Sequence, residues 1–417
     1  MNAHRTATMA EPFLDPSAAR AHVHAAALAP SPVGTVGLEL EYHLVDLRDA
    51  RRRVTWTELR RLVDAIPRLP NASVVTTEPG GQLELSTPPR QGVAAAIEAL
   101  QADHAVLARA VRLAGFGLAP IGADPARPLR RVTPTSRYAA MERHFDAVGC
   151  GHAGRQMMSS TAALQVNVNA GPSHTWATRI AHVHSLGPVL VAMSACSPLL
   201  AGHASGWRSM RQQAWRGIDP PRCRPMSMAA DPSQAWASYA LAAPVMLVRD
   251  AVGGPSEAIT TRVSFEGWAA GSGAFDRRPT IDDLDYHLTT LFPPVRPRGY
   301  LEIRYLDAVP GAWWPALAAI AVTLIDDEVA ADLAAEACDG VRHAWRTAAC
   351  DGLGDEALRA AARSCVDIAA RRCPEQLRPA VEAYAELVHR GRTPGDDLRE
   401  AATARGPLAV LAEAADA

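Results

Sequence analysis

Four short stretches place acids, amides and one arginine at every second position. "GLELEY" carries Glu39 and Glu41, and "GQLELS" carries Gln82 and Glu84. "ALQVNVN" carries Gln165, Asn167 and Asn169, and "YLEIRYL" carries Glu302 and Arg304. The positions between them are apolar: Leu38 and Leu40; Leu83 and Leu85; Leu164, Val166 and Val168; Leu301, Ile303 and Tyr305. Side chains alternate faces along a strand, so each stretch predicts a strand with one apolar and one polar face. An antiparallel sheet with one face in water alternates in the same way. Residue choice argues for more than a wet face, because glutamate is a poor strand former. Carboxylates on neighbouring strands repel and raise one another's pKa. A hard divalent cation such as Mg²⁺, which takes oxygen ligands, relieves that repulsion. Both a solvated face and a metal-holding face fit the alternation; the acids and amides favour the metal.

The elements that must position these residues follow from local pattern. A first strand is expected over Val33–Leu47, and "TWTELRRLVDAI" reads as a capped amphipathic helix. Two short strands flank a Pro-Gly-Gly turn in "ASVVTTEPGGQLELSTPP". A long Ala/Leu helix is expected from Gln91 to Leu113, a strand in "GFGLAPIGADP", and a loop over 124–136. Ser160–Gly171 predicts a strand and His174–Leu200 a buried helix. Residues 202–235, rich in Arg, Trp and Pro, read as a functional loop region. "APVMLVRD" and "GYLEIRYLDAV" predict strands, and the pattern is helical from Gly311 onward. Strands and helices in irregular order argue an α+β fold. The expected organisation is a single unit over 31–417, with a sheet core over about 33–325, a helical region over about 326–417 and an extension over 1–30.

Composition excludes several classes of function. The 417 residues carry a net charge of −2, which gives no electrostatic case for nucleic acid or an anionic membrane. The chain has no lysine, so a phosphate clamp must come from Arg, His, backbone N–H or metal. No signal-peptide core and no run of about 18 apolar residues is read, and a cytoplasmic protein is expected. The seven cysteines, without a CxxC pair, read as reduced thiols. The glycine-rich nucleotide loops GxGxxG and GxxxxGK[ST] are absent from the places where they would act.

Read together, "GLELEYHLVD", "EPGGQLELSTPP", "SRYAAMERHF", "GRQMMSSTAALQVNVN", "GWRSMRQQAWRGIDPPR", "YALAAPVMLVRD" and "GYLEIRYLDAVP" resemble the glutamate–cysteine ligase family. The likeness is to the branch shared by plant and many bacterial enzymes, most of all its actinobacterial form associated with ergothioneine biosynthesis. It covers roughly residues 34–325. The resemblance implies a glutamine-synthetase-like curved, mostly antiparallel sheet with flanking helices. It also implies ATP-dependent joining of the glutamate γ-carboxylate to the cysteine amine through a γ-glutamyl phosphate.

On motif matching, Glu39, Glu41, Glu84 and Glu302 correspond to acids that ligate Mg²⁺, with Mn²⁺ as a substitute. Glu302 and Arg304 stand at the reacting centre, and Arg304 is expected on the ATP phosphates. Arg211 matches the residue that grips a glutamate carboxylate. Gln165, Asn167, Trp215, Arg137 and Tyr138 are expected near the substrates, with Asp219, Arg222 and Arg155 in the same segments. Met157 and Met158 read as core packing. No general base stands out; His144, His152 and His203 read as structural or exposed. The adenine pocket has no sequence signature. The partners implied are glutamate, cysteine and ATP. A ligase with another amine acceptor, a metal or amino-acid binder without catalysis, and a metallohydrolase using the same acids remain open at this level. The oligomeric state is not read from the sequence.

Overall fold

The computed structural model describes residues 13–250 and 252–416. The first part of the expected N-terminal extension, residues 1–12, lies outside them. Eight strands form one sheet: β1 (Thr35–Asp46), β2 (Val74–Thr77), β3 (Leu83–Ser86), β4 (Arg90–Gln91), β5 (Phe116–Ala119), β6 (Ala163–Asn169), β7 (Val295–Pro297) and β8 (Tyr300–Asp307). The order along its main path is β7-β8-β6-β1-β3-β2, with β4 and β5 also paired to β1. Every pairing in this sheet is antiparallel. This is the α+β, antiparallel architecture that the alternating stretches imply.

The apolar face is the core. Leu38, Leu40, Leu83, Leu85, Leu164, Val166, Leu301 and Ile303 are all fully buried. Three helices cover this face: Gly92–Leu113 against β1, Trp176–Ser194 against β8 and Trp314–Asp326 against β6. Every residue from Trp314 to Ile325 is buried, as expected of a helix that is apolar all round. Its outer side is covered by helices Glu328–Cys338, Glu356–Arg372 and Arg378–His389. The C-terminal helical region therefore forms a third layer. The last helix, Pro407–Asp416, returns to pack on β5 and β1. Within the third layer the buried Cys338 and Cys365 thiols lie 3.7 Å apart.

The structure departs from the sequence reading in identifiable places. Residues 202–235, expected as loop, contain the helices Met210–Gly217 and Pro220–Cys223 and the start of Pro232–Ala242. Pro220 and Pro232 stand at the first helical position, where the missing N–H costs nothing, so they start helices rather than break them. Ser209 begins the first of these helices, its Oγ accepting from the Gln212 N–H at 3.2 Å. Part of the expected N-terminal extension is a helix, Pro16–Ala27, with Asp15 as its cap. "APVMLVRD" keeps only Leu247–Arg249 as strand.

One alternation also breaks. The register between β8 and β6 shifts between Ile303 and Leu306, so that Arg304 and Tyr305 together span the one residue Gln165. Such an irregularity reverses the faces of everything beyond it. Asp307, paired with Ala163, consequently lies on the same face as Glu302 and Gln165.

The turn between β2 and β3 is fixed by backbone contact. Gly81 adopts φ +84°, a conformation that favours glycine. At Gly80 an added Cβ would lie 2.2 Å from the Ser159 carbonyl oxygen. Val132 and Thr133 donate their N–H groups to the Pro79 carbonyl at 2.8 and 3.0 Å. Gly80→Ala should therefore push the turn away from the end of the helix Gly151–Ser160. We expect a loss of about 1–3 kcal/mol, the usual cost of overpacking, read as a lower Tm. Gly340→Ala, where nothing lies within 4 Å of the added carbon, should leave Tm nearly unchanged. Equal Tm values for the two variants would remove this account of the turn.

Candidate active site

The register gathers the polar side chains into rows across the sheet. Glu302 on β8 faces Asn167 on β6, which faces Gly37 on β1. A carbon added at Gly37 would meet the Asn167 Cβ at 3.5 Å, an ordinary van der Waals contact. In the next row Gln165 faces Glu39, which faces Ser86. Farther along, Glu41 faces Glu84 directly, and Glu84 faces Thr76. Two like charges directly opposite are destabilising in an ordinary sheet.

Amides and hydroxyls hold the acids in place. The Asn167 amide donates to Glu39 at 2.8 Å, and the Gln165 amide to Glu41 at 3.2 Å. The backbone N–H of Ala163 donates to Glu41 at 2.9 Å. The Thr76 and Ser86 hydroxyls both donate to Glu84 at 3.1 Å. A further acid joins them from the β2–β3 turn: Glu78, the residue before the Pro-Gly-Gly.

Charge divides the site into two halves. Around Glu302 there is cation to spare. Arg296 grips it with two N–H groups, one at 2.9 Å, and Arg298 and Arg304 approach to 3.3 and 3.2 Å. Burial works against its ionisation, yet Arg304 and Arg296 hold its pKa down to about 2. In the other half the acids outnumber their partners. Burial first, and then Glu78, push Glu41 up to about 7. Burial and Glu84 push Glu78 up to about 7. Burial, Glu39 and Glu41 push Glu84 up to about 8. Glu39, between the halves, is raised by burial and by Glu302. All four are desolvated by the surrounding protein while remaining partly open to the cleft. Among the described residues, no three His, Cys, Asp or Glu side chains are gathered closely enough to enclose a metal ion unaided.

The arginines differ in the same way. The Arg304 guanidinium donates to Gln165 at 2.7 Å and lies 5.9 Å from the Trp215 ring centre. Burial opposes its charge, but Glu302, Glu39 and Glu41 overcome that and raise its pKa. Arg211 is only 2% exposed. One of its N–H groups donates to the Arg304 carbonyl at 2.8 Å, while Nε and Nη1 have no partner. Its nearest carboxylate is Asp307, at 3.9 Å. Asp307 is already occupied by the Ser197 and Ser209 hydroxyls, at 2.7 and 2.8 Å, and by the Cys196 N–H at 3.0 Å. Burial lowers the Arg211 pKa, the opposite direction to Arg304.

The remaining expected residues fall into two groups. Tyr138 and Arg137 lie within electrostatic reach of the acids: burial and then Glu78 raise the Tyr138 pKa, with Glu84 and Glu41 adding to it, and Arg137 works to lower that of Glu78. The Arg137 guanidinium also donates to the Thr289 carbonyl and lies over the Tyr286 ring. Trp215 packs on Phe292 and, with Arg304, Tyr305 and Trp345, lines a cavity of about 290 Å³ beside the acid rows. By contrast Asp219 and Arg222 form a buried pair that ties the 220–223 helix to the carbonyls of Thr290 and Pro244. Arg155 pairs with Asp146 in solvent. Met157 and Met158 sit in a core cluster with Met141 and Phe145. His144 is held by the Ile259 carbonyl, away from the acids.

Glu78, Arg296, Arg298 and Asp307 are not among the residues expected from the sequence. For Glu78 and the two arginines the sequence does carry a signal. The acid precedes a Pro-Gly-Gly turn between acid-bearing strands, and the arginines sit two apart just before the strand that carries Glu302.

The model of glutamate–cysteine ligase family 2 matches residues 35–414. A relative named glutamate–cysteine ligase EgtA, from Mycolicibacterium smegmatis, is 48% identical over 97% of this chain and 95% of its own length. The protein of that name from Mycobacterium tuberculosis H37Rv is 49% identical over 94% and 91%. A chloroplastic glutamate–cysteine ligase of rice, Oryza sativa subsp. japonica, is 29% identical over 68% of this chain and 57% of that protein. Among solved structures, a glutamate–cysteine ligase of Francisella tularensis in complex with AMP aligns with TM-score 0.57 and 13% identity. That alignment covers 93% of this chain and 88% of the other, and it shows a shared fold.

The acid rows fix a sign for the pH dependence of stability. Glu41, Glu78 and Glu84 have folded pKa values raised above the ordinary 4.5. Their contribution is complete below about 4.5 and is lost as pH rises through about 7–8. Buried His43, His184 and His287, lowered by burial to about 4, act in the opposite sense. Their contribution is regained by about pH 6.5, so the window from 6.5 to 8 isolates the carboxylates. In a metal chelator, Tm should fall across that window, and Glu84→Gln should fall less and melt higher at pH 8. A variant that melts lower than the native protein at pH 8 would show that the acids do not repel.

Proposed function

The chain belongs to glutamate–cysteine ligase family 2, and we propose that it joins the γ-carboxylate of glutamate to the amine of cysteine. ATP is cleaved to ADP and phosphate, and the product is γ-glutamylcysteine. The full-length match to the two mycobacterial EgtA proteins supports assigning this product to ergothioneine biosynthesis. Among the described residues no helix is long and apolar enough to cross a membrane. We place the reaction in the cytoplasm, where ATP is available and cysteine stays reduced. We take 31–417 as one catalytic unit, on the grounds that the C-terminal layer packs on the sheet's own covering helix.

The observation that carries the reading is Arg211. A buried guanidinium with two unpartnered nitrogens is costly unless an acceptor arrives. A carboxylate matches the guanidinium fork and can accept two hydrogen bonds at once. Glutamate supplies such a carboxylate and leaves a second one for the acid rows. The γ-carboxylate is a poor electrophile. Its oxygen attacks the terminal phosphorus of ATP, ADP leaves, and the resulting acyl phosphate has a good leaving group. The neutral cysteine amine then attacks the carbonyl carbon, and phosphate departs with the proton that the nitrogen gives up. Arg304, held by Gln165 and Glu302, is the donor placed to take charge developing on the transferring phosphoryl group.

The donor set fits Mg²⁺, or Mn²⁺ in its place: oxygen only, anionic, and short of counter-charge. Glu39, Glu41 and Glu84 would hold it, with Glu78 added from the turn; Glu302, expected from the resemblance as a further ligand, is already matched by Arg296, Arg298 and Arg304 and would have to exchange one of them to join. Mg²⁺ is commonly bound through one or two carboxylates together with substrate phosphates, which accords with the lack of a closed cage among the side chains alone. Bound there, the cation supplies charge neutralisation between the acids and the nucleotide. Gln165 and Asn167 orient the acids, and Trp215, Arg137 and Tyr138 bound the space for the substrates.

ADP release in the presence of Mg²⁺ and ATP should require glutamate and cysteine together and yield the dipeptide. Release that needs another amine would move the protein to a different acceptor, and no release with any pair would end the ligase reading. Arg211→Ala should raise the glutamate KM by about one to two decades while the ATP KM stays within a few-fold. A lost charge-assisted bond is worth about 1.5–3 kcal/mol. An unchanged glutamate KM would sink the assignment of Arg211. Mg²⁺ should also raise Tm, and by more at pH 8 than at pH 6, because protons compete for the same carboxylates. A shift of equal size at both pH values would count against these acids as the ligands.

A further inference from the structure

A second cavity, of about 310 Å³, is lined by Arg208, Arg359, Arg363, Arg390, Thr393 and Asp396. Four cations face one anion there. Asp396 is shared between Arg208 at 2.6 Å and Arg399 at 3.0 Å, and its other oxygen accepts from the Thr393 N–H at 3.0 Å. Arg390 pairs with Glu386 in solvent. Arg359 and Arg363 reach only backbone carbonyls, of Leu353 and His389, and have no carboxylate partner among the described residues. They lie four apart on the helix Glu356–Arg372, where like charges repel. Glycines shape the walls: carbons added at Gly352 and Gly391 would lie 3.2 Å from the Arg208 stem and 3.3 Å from the Arg359 stem. In a chain whose arginines otherwise find many carboxylates, this excess of positive charge around a concavity has no internal counter-ion.

We propose that this cavity binds a phosphate-class oxyanion, either free or as the phosphoryl end of a nucleotide. Guanidinium forks suit such an anion, because they match its oxygens and stay charged at every physiological pH. The cavity is also wired to the first site by short covalent steps. Arg208 precedes Ser209, and Ala195, whose carbonyl accepts from Thr393 at 2.9 Å, precedes Cys196. Ser209 and Cys196 are both donors to Asp307, the carboxylate nearest Arg211. An anion that draws Arg208 inward acts on the segment that starts the Arg211 helix. This coupling rests on the glutamate-gripping reading of Arg211; the binding itself does not.

The test is calorimetry and thermal melting of the full chain with inorganic phosphate, and separately with ADP, at constant ionic strength. Arg363→Gln removes an exposed guanidinium and should not disturb folding. We expect it to weaken phosphate binding at this site by about tenfold or more, the effect of losing one charged hydrogen bond. Arg371→Gln, an equal charge change at the end of the same helix, should leave binding unchanged. Phosphate bound as product in the ligase site is insensitive to Arg363, so the two sites are told apart. An Arg363-dependent signal with inorganic phosphate assigns a free oxyanion, and one with ADP alone assigns a nucleotide phosphoryl group. No Arg363-dependent signal with either, or an equal loss in Arg371→Gln, overturns the proposal. A change in glutamate KM with phosphate that Arg363→Gln abolishes would establish the coupling separately.

Discussion

The constraint on which the molecule depends is the repulsion among carboxylates that the sheet forces together. Glu41 and Glu84 are direct cross-strand partners, with Glu39 and Glu78 close enough to act on the same charges. No gain in folding comes from such an arrangement, since each acid is desolvated and each raises the pKa of another. It persists because the opposite face of the same strands is a continuous apolar layer. A slip of one residue in any of these strands would bury the acids and expose the leucines. Register held by the core is therefore what holds the site.

Counter-charge is distributed unevenly, and the unevenness has chemical meaning. Glu302 is given three arginines, of which Arg304 and Arg296 do most to hold its pKa down against burial. The group around Glu84 is given hydroxyls and amides, which orient carboxylates without neutralising them. The first half is balanced before any ligand arrives. In the second, Arg211, Arg304 and Arg137 act on the acids without offsetting their burial and mutual repulsion. A site meant only to be wet would not need Asn167 and Gln165 as fixed hydrogen-bond donors to two of its acids.

Much of this was legible in the sequence because alternation is a local property. The strands that carry Glu39, Glu84, Gln165 and Glu302 each hold enough residues to show two faces, and the apolar ones did form the core. The omissions have physical causes. Glu78 belongs to a turn, where period carries no information. Arg296 lies on a strand of three residues, Val295–Pro297, too short to show a pattern. Asp307 sits past the register shift, so strict alternation assigns it to the wrong face. Prolines at 220 and 232 read as loop because a helix of few turns shows too little period to outweigh them. The cavity beside Trp215 is assembled from segments far apart in the chain, and nothing local announces it. The charge imbalance between the halves arises from contacts among β1, β3, β6, β8 and the turn before β3, which no local pattern shows.

Arg211 and Arg304 show how the two halves would work together. They are neighbours, linked through the Arg304 carbonyl, yet burial wins at one and carboxylates win at the other. Arg211 is stabilised by attraction to Asp307 and then to Glu41. A cation placed on Glu41 weakens that second attraction and leaves Arg211 with less internal compensation. A substrate carboxylate then gains more by binding to Arg211 than it would without the cation. Linkage requires the converse, that a carboxylate on Arg211 strengthens the cation's hold by the same factor. The unsatisfied acids and the unsatisfied arginine are thus two parts of one electrostatic deficit, which on the proposed reading a metal–nucleotide and an amino acid would close together.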